Sequence, residues 1–352
     1  MPQLFDIVGR TIASWYQIHK RVLPWRETTD AYKIWISEII LQQTRVDQAL
    51  GYFSRFVERF PNVESLAQAS EDEVLKYWQG LGYYSRARNL HFAAQHIVAK
   101  HHSIFPSSHK EVLALKGIGD YTAAAICSFS YNMPYAVVDG NVFRVLSRLF
   151  GITTPINSTQ GKKEFSLLAD NLLNKKNPSL HNQAMMEFGA LQCTPKSPNC
   201  IQCPLQEFCV AFASNLVKTL PVKTKKMVPR ERFFNYFFIK KGTETILQKR
   251  MQNDIWKNLY QFPLIETEKL SEVEDLLKHP FLNDKRFVIK KTSSVYKHVL
   301  SHQIIYARFF TIETYDDLFP ENKEFIAIPI SNLSGFPVPR LMEIFIEKNL
   351  EN

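Results

Sequence analysis

Four cysteines, Cys193, Cys200, Cys203 and Cys209, fall within seventeen residues, separated by six, two and five others, while Cys127 stands alone in an apolar stretch. In a reducing compartment, so tight a group of thiols reads as metal ligation rather than disulfide bonding. Zinc ribbons and fingers usually pair two Cys-x-x-Cys units well apart in sequence, and here only Cys200 and Cys203 make such a unit. A compact run of four thiolates suits a [4Fe–4S] cube, one cysteine to each iron. Zinc is the alternative for the same ligands, and Cys127 reads as an inert core residue.

Two carboxylates suggest a second kind of chemistry. Between Ala31 and Leu41 the only charged residues are Lys33 and Glu38, and apolar side chains occupy most of the helix circumference. A Glu buried there has its pKa raised and keeps a proton at neutral pH; a solvated Glu on the polar side is the plainer alternative. Asp139 follows an apolar run and directly precedes a helical pattern over 141–150. It could act only as an N-cap, but a helix N-terminus also lowers a carboxylate's pKa and keeps it ionised. One carboxyl held protonated beside another held as an anion is the division of labour that breaks glycosidic bonds. Between the two, Leu115-Lys116-Gly117-Ile118-Gly119-Asp120-Tyr121-Thr122-Ala123 joins two helical patterns. Gly117 and Gly119 allow a tight hairpin whose N–H groups face outward, an anion site able to grip a DNA phosphate; a plain helix–helix turn is the alternative.

The elements that position these residues fall into two classes. Residues 1 to about 214 read as successive helices: one capped by Asp30, one opened by Ser70 with Glu73, and others near 85–101, 108–115, 121–130, 141–150, 159–174 and 180–192. The stretch 215–232 carries six basic residues against one acid and two prolines, and reads as an exposed linker. Beyond it, strand patterns over 233–240, 245–250, 287–296 and 303–312 alternate with helices near 271–278, opened by Ser271 with Glu274, and 339–348. The expected architecture is an all-α domain over 1–214 followed by a smaller α+β domain over 233–352. A formal charge of +9 favours a polyanionic partner. No apolar run of about 18 residues is present to span a membrane, and the N-terminus lacks a signal peptide's apolar stretch, so a soluble cytoplasmic protein is expected.

Several stretches resemble the endonuclease III superfamily of helix-hairpin-helix DNA glycosylases, and within it the adenine glycosylase (MutY-type) branch. They are Leu23-Pro24-Trp25-Arg26, Trp35-Ile36-Ser37-Glu38, Gln42-Gln43-Thr44-Arg45-Val46, Gly80-Leu81-Gly82-Tyr83-Tyr84-Ser85-Arg86, the hairpin, Val138-Asp139-Gly140-Asn141 and Asn182-Gln183-Ala184-Met185-Met186-Glu187. The cysteine spacing fits as well. Bifunctional relatives place a lysine nucleophile directly before the Thr-Ala of the hairpin motif; Tyr121 stands there instead and cannot form a Schiff base. Trp256-Lys257-Asn258-Leu259-Tyr260-Gln261-Phe262-Pro263 and Leu300-Ser301-His302 resemble the branch's Nudix-like lesion-recognition domain, without the acidic Nudix box. Two positions depart from the pattern: Lys116 where proline is usual, and Leu300 where the branch often has Phe.

The resemblance implies a monofunctional enzyme, acting as a monomer on duplex DNA, that removes adenine mispaired with 8-oxoguanine or guanine. Glu38 would protonate N7 of the flipped adenine, and Asp139 would stabilise the oxocarbenium ion, with Asn141 and Tyr121 positioning Asp139 and the sugar. Gln43, Thr44, Leu81 and Tyr83 match the wedge and lesion-side contacts, Arg26, Gln183 and Glu187 the base pocket, Gly117 and Gly119 the phosphate grip, and Ser301 and His302 the lesion contacts. The four clustered cysteines would hold the [4Fe–4S] cofactor.

Overall fold

Asp30 accepts a hydrogen bond from the Tyr32 backbone N–H at 2.9 Å and starts helix α2 where the sequence places its cap. The computed structural model describes residues 2–224, 228–280, 282, 286–316 and 324–350. Its contacts group the chain into two units, Met1–Ala67 with Phe92–Lys225, and Gln68–His91 with Lys226–Asn352.

The first unit is helical. Helix α1 (Pro2–His19) is followed by α2 (Ala31–Leu41), α3 (Val46–Arg59) and α4 (Val63–Gln68), the last ending at the division. Helix α5 (Glu71–Trp78) and the start of α6 (Ser85–His101) belong to the second unit; the rest of α6 leads in the first to α7 (His109–Ala114), α8 (Asp120–Tyr131), α9 (Gly140–Phe150), α10 (Thr159–Leu172), α11 (Pro178–Leu191) and α12 (Val210–Ala213). Helix α2 is buried almost all round, from Ala31 to Ile40 with only Lys33 partly exposed, and packs against α3 and α8. A helix apolar on nearly every face belongs in the centre of its domain. Helices α9 and α11 pack together over a core that includes Val145, Leu146, Phe165 and Phe188.

The second unit is a mixed sheet with helices. Its strands are β1 (Arg230–Lys241), β2 (Glu244–Lys249), β3 (Tyr260–Gln261), β4 (Leu264–Thr267), β5 (Phe287–Thr292), β6 (Tyr296–Val299), β7 (Gln303–Thr314) and β8 (Phe325–Pro329). The order is β3-β2-β1-β7-β5, with β4 beside β1, β6 beside β7 and β8 beside β2. Strands β1 and β7 run parallel, from Arg230 opposite Gln303 to Lys240 opposite Glu313. Residues on both faces of β1 are buried, so it lacks a solvent face and its pattern is a continuous apolar run. Phe234, Tyr236 and Phe238 pack with Phe345 of α14 (Arg340–Leu350), and Phe237 and Ile239 with Leu276 of α13 (Val273–Leu276).

The structure departs from the sequence reading in four places. The stretch 215–232 is not exposed throughout: Leu220 is buried, its carbonyl accepts from Arg148 Nε at 3.1 Å, and Val222 O accepts from Ile156 N at 3.0 Å. An apolar Leu within a basic stretch has a face to bury; residues 225–227 of that stretch lie outside the described residues. Residues 68–91, read from sequence as part of the helical domain, group by contact with the sheet. There Asp72 pairs with Lys249 and Tyr260, and Gln79 with Glu343. The run 287–296 is two strands, and Ser271 does not cap α13, its hydroxyl donating to Lys269 O instead. Among the described residues no helix is long and apolar enough to cross a membrane.

Candidate active site

Glu38 and Asp139 line one cavity of about 230 Å³ in the helical unit, walled by apolar side chains such as Leu23, Trp25 and Ile34 and by polar ones from α8, α9 and α11. Glu38 is 4% exposed, and the Tyr121 hydroxyl donates to its Oε2 at 2.8 Å. Burial pushes its pKa up to about 7; the Tyr121 hydrogen bond opposes this, the neighbouring Asp139 adds to it, and Arg26 opposes it. Tyr121 stays a neutral donor, because burial, Glu38 and Asp139 all raise its pKa well above the ordinary value.

Asp139 is the N-cap of α9. Its Oδ1 accepts from the backbone N–H of Asn141 at 2.9 Å and of Val142 at 2.8 Å, and its Oδ2 from Asn141 Nδ2 at 2.7 Å. Capping and a place in the cavity are therefore compatible. The expectation of a lowered pKa is corrected: burial raises it, and the Val142 and Asn141 hydrogen bonds only pull it part of the way back. The pair can supply a proton and an anion to a group bound in one cavity.

Burial of Glu38 has a measurable consequence for stability. Its pKa rises from an ordinary 4.5 to about 7, so the folded protein keeps a proton that the unfolded chain releases. Stability then falls as pH rises from about 4.5 through about 7 and is flat above that. Glu38→Gln escapes this loss and should be more stable than the parent by roughly 3 kcal/mol near pH 8, with the difference gone near pH 4. Urea unfolding at the two pH values measures it, and equal stability at both would place Glu38 in contact with solvent.

Arg26, Gln183 and Glu187, which the resemblance places at the base, line the same cavity. Glu187, 1% exposed, accepts from Arg21 Nε at 2.9 Å, Arg21 Nη2 at 2.6 Å and Arg26 Nη2 at 2.8 Å. Burial alone would raise its pKa, but the two arginines hold it down at about 2. Gln183 accepts from Tyr16 Oη at 2.9 Å and lines the same cavity, as does Thr44. Gln43 does not line it; it is exposed in the turn after α2 at φ +59°.

Two residues that the sequence reading passed over hold Asp139 in place. Arg144, 8% exposed, donates to Asn141 Oδ1 at 2.8 Å, Gly189 O at 2.6 Å and Cys193 O at 2.7 Å. It thereby ties the partner of Asp139 to the start of the cysteine loop. Its position three residues after Asn141, on the same helix face, was the available signal. A Cβ on Gly189 would stand 2.7 Å from Asn141 Cβ and 2.8 Å from Asn141 O, too close for either to stay. Gly189→Ala should therefore slow base excision by about a hundredfold through displaced Asp139, with the fold retained. Single-turnover kinetics with a circular dichroism control check this; an unchanged rate would mean the α9–α11 approach does not position the carboxylate.

The hairpin between α7 and α8 has the expected form. Gly117 takes φ +84°, which favours glycine, and Gly119 is the N-cap of α8 in extended backbone. Leu115 and Ile118 are buried, while Lys116, Gly117 and Gly119 are exposed. The motif thus anchors by its apolar residues and presents its glycines outward.

The four cysteines are unbridged. Cys193, Cys203 and Cys209 pack against the α9–α11 core, and Arg148 Nη1 lies 3.4 Å from Cys193 Sγ. Burial raises the thiol pKa values of Cys200, Cys203 and Cys209, and the charges of the neighbouring cysteines raise them further. Four thiolates that repel one another in this way are costly unless a cationic centre sits among them, which is the donor set an iron–sulfur cluster requires. Among the described residues no three His, Cys, Asp or Glu side chains stand close enough to share a single metal ion.

The remaining predicted residues lie in the second unit, around a cavity of about 540 Å³. Gly80 and Gly82 take φ +93° and +72°, turning the chain so that Leu81 is buried and Tyr83, itself at φ +47°, is half exposed. Leu81 therefore lines the cavity without projecting from it. The Tyr83 hydroxyl is hydrogen-bonded to Ser301 Oγ. Ser301 and His302 are exposed in the β6–β7 turn, where His302 O accepts from Arg230 N at 3.0 Å.

This architecture matches three family models: "HhH-GPD superfamily base excision DNA repair protein" over 36–170, "Iron-sulfur binding domain of endonuclease III" over 193–209 and "NUDIX domain" over 235–348. Helices, hairpin and paired carboxylates thus define a base-excision DNA glycosylase with an iron–sulfur loop and a Nudix-like second domain. A solved thermostable thymine-DNA glycosylase superposes with a TM-score of 0.56 at 27% identity, covering 60% of this chain and 97% of that one. Adenine DNA glycosylase of Buchnera aphidicola subsp. Schizaphis graminum (strain Sg) is 37% identical over 297 residues, 84% of each chain. That of Buchnera aphidicola subsp. Acyrthosiphon pisum (strain APS) is 33% identical over 351 residues, 98% of each. The chain belongs to the adenine DNA glycosylase family of base-excision repair N-glycosylases.

Proposed function

We propose that this enzyme excises adenine mispaired with 8-oxoguanine, or less readily with guanine, by hydrolysis alone and as a monomer in the cytoplasm. The observation that carries this reading is Glu38, with its pKa near 7, in one cavity with the capped Asp139. The Glu38 oxygen not used by Tyr121 carries the proton to N7 of a flipped adenine, making the leaving base neutral. Asp139, held by three N–H donors, faces the developing cation of the sugar, and Asn141 keeps it aimed. Tyr16, Gln183, Arg26 and the Glu187 carboxylate shape the base side of the pocket.

Tyr121 in place of an amine supports a monofunctional reaction, as does the absence of lysine from the described residues lining the cavity. The Gly117–Gly119 hairpin grips a backbone phosphate, Gln43 and Thr44 meet the DNA beside the extruded base, and Cys193, Cys200, Cys203 and Cys209 hold a [4Fe–4S] cluster that braces the loop after α11. When bound, the cluster supplies a rigid cationic anchor for four thiolates rather than a reacting group. Tyr83, Leu81, Ser301 and His302 form the lesion side, where a hydroxyl and nearby N–H groups distinguish N7 and C8 of 8-oxoguanine from those of guanine.

The test measures single-turnover rates and affinities for adenine opposite 8-oxoguanine and opposite guanine. Ser301→Ala should lower the ratio by about tenfold, the value of one lost specific contact. Borohydride should trap no covalent protein–DNA product. An unchanged ratio would remove Ser301 from lesion recognition, and a trapped product would show an amine nucleophile.

A further inference from the structure

Besides the segment Gly80–Arg88, two loops wall the lesion-side cavity, the β6–β7 turn with Ser301 and the β2–β3 loop with Asp254, Ile255 and Trp256. Neither loop has much regular structure, yet both meet at one buried side chain. Arg232 of β1, whose side chain is 9% exposed, donates to Glu266 Oε1 and Oε2 at 2.7 and 2.6 Å. It also donates to Asp254 Oδ1 and Oδ2 at 3.0 and 2.8 Å, and to Gln303 Oε1 at 3.0 Å. These five bonds use every N–H donor of a guanidinium. Because the guanidinium accepts nothing, the amide orientation of Gln303 is set as well.

Each of the three partners anchors a different part. Glu266 lies on β4, so it fixes Arg232 to the sheet. Asp254 is the β2–β3 loop, and Arg250 reinforces it through Asp254 Oδ2 at 2.8 Å and Ile255 O at 3.0 Å. Gln303 follows Ser301 and His302 directly, and the turn closes through Leu300 N to Gln303 O at 2.8 Å. A buried ion pair contributes little net stability compared with a well-packed apolar replacement, so its cost is better explained by the geometry it enforces.

We propose that Arg232 is a positioning residue for lesion discrimination, setting the spacing of the two cavity walls through Asp254 and Gln303. This rests on the reading of Ser301 as a lesion contact. Every group in the network belongs to the second unit and lines or supports its cavity, so the effect is read as a change in lesion discrimination.

The test uses the full chain and the rate and affinity ratio for adenine opposite 8-oxoguanine against guanine. Gln303→Met keeps the length of the side chain and leaves the bonds of Arg232 to Glu266 and Asp254, so the domain should stay folded by thermal unfolding. It should lower the ratio roughly tenfold, and Gln303→Glu, which keeps the acceptor, should retain the parent ratio. Arg232→Lys, unable to make five bonds, should lower it at least as far as Gln303→Met. If Ser301→Ala lowers the ratio while Gln303→Met leaves it unchanged, the positioning role is wrong and the lesion reading stands. If Gln303→Met and Gln303→Glu lower it equally, the hydrogen bond is not the cause. If Ser301→Ala changes nothing, the lesion reading fails and this inference with it.

Discussion

Glu38→Gln and Asp139→Asn should each slow single-turnover adenine excision by about a thousandfold or more, with affinity for the mismatched duplex changed only a few-fold. Both substitutions keep the side chain's shape and one acceptor oxygen. Gln at 38 still accepts from Tyr121 Oη, now 2.8 Å from Glu38 Oε2, but has no acidic proton to give. Asn at 139 can still cap α9, through the acceptor that now receives Asn141 N and Val142 N, but carries no charge to face the sugar cation. The two should differ in one respect. Asp139→Asn leaves an amide N–H pointed at Asn141 Nδ2, so its loss includes a local rearrangement that Glu38→Gln avoids. Near-normal turnover by either variant removes that residue from the chemistry.

The second large effect concerns the cysteines. Cys200→Ser should lose iron, visible colour and most soluble yield together, whereas the parent purifies brown with about four irons per chain. The reason is mechanical. Cys193 O is a partner of Arg144, and Arg148 joins Cys193 Sγ, Thr194 O and Leu220 O. A loop that loses its metal exposes crowded thiols and loosens both arginines, and metal-supported loops of this kind draw much of their folding energy from the metal. Iron and sulfide analysis with analytical gel filtration measures this. A soluble, iron-free Cys200→Ser protein of parent stability, or stoichiometric zinc in anaerobically purified parent, would contradict it.

Local signals carried much of the fold into the sequence. Helix α2 was legible because its cap, Asp30, and an apolar surface broken only by Lys33 and Glu38 sit in one short window. The same window pointed to a buried Glu38 but left a solvated one open, and the structure buries it. Strands β1 and β7 were legible as long apolar runs, whereas β3 and β4 are two and four residues long and make no pattern of their own. Contacts distant in sequence left no trace. Residues 68–91 look like the helices around them, and it is contacts such as those of Asp72, Gln79 and Arg88 that group them with the sheet. Arg144 and Gly189 look like a solvated charge and a weak helix residue until their neighbours are known. The direction of the Asp139 shift was missed because a capping position argues for solvation by N–H groups, and the sequence cannot weigh that against the depth of the cavity.

The most direct measurement is the pH profile of free adenine release from a duplex with adenine opposite 8-oxoguanine, under single-turnover conditions. The parent enzyme should release adenine, with a rate that falls as pH rises through about 7, because Glu38 acts in its protonated form. Glu38→Gln should be slow throughout and lack that limb. No release of adenine, or a parent rate that climbs with pH across the same range, would contradict Glu38 as the acid that frees the base.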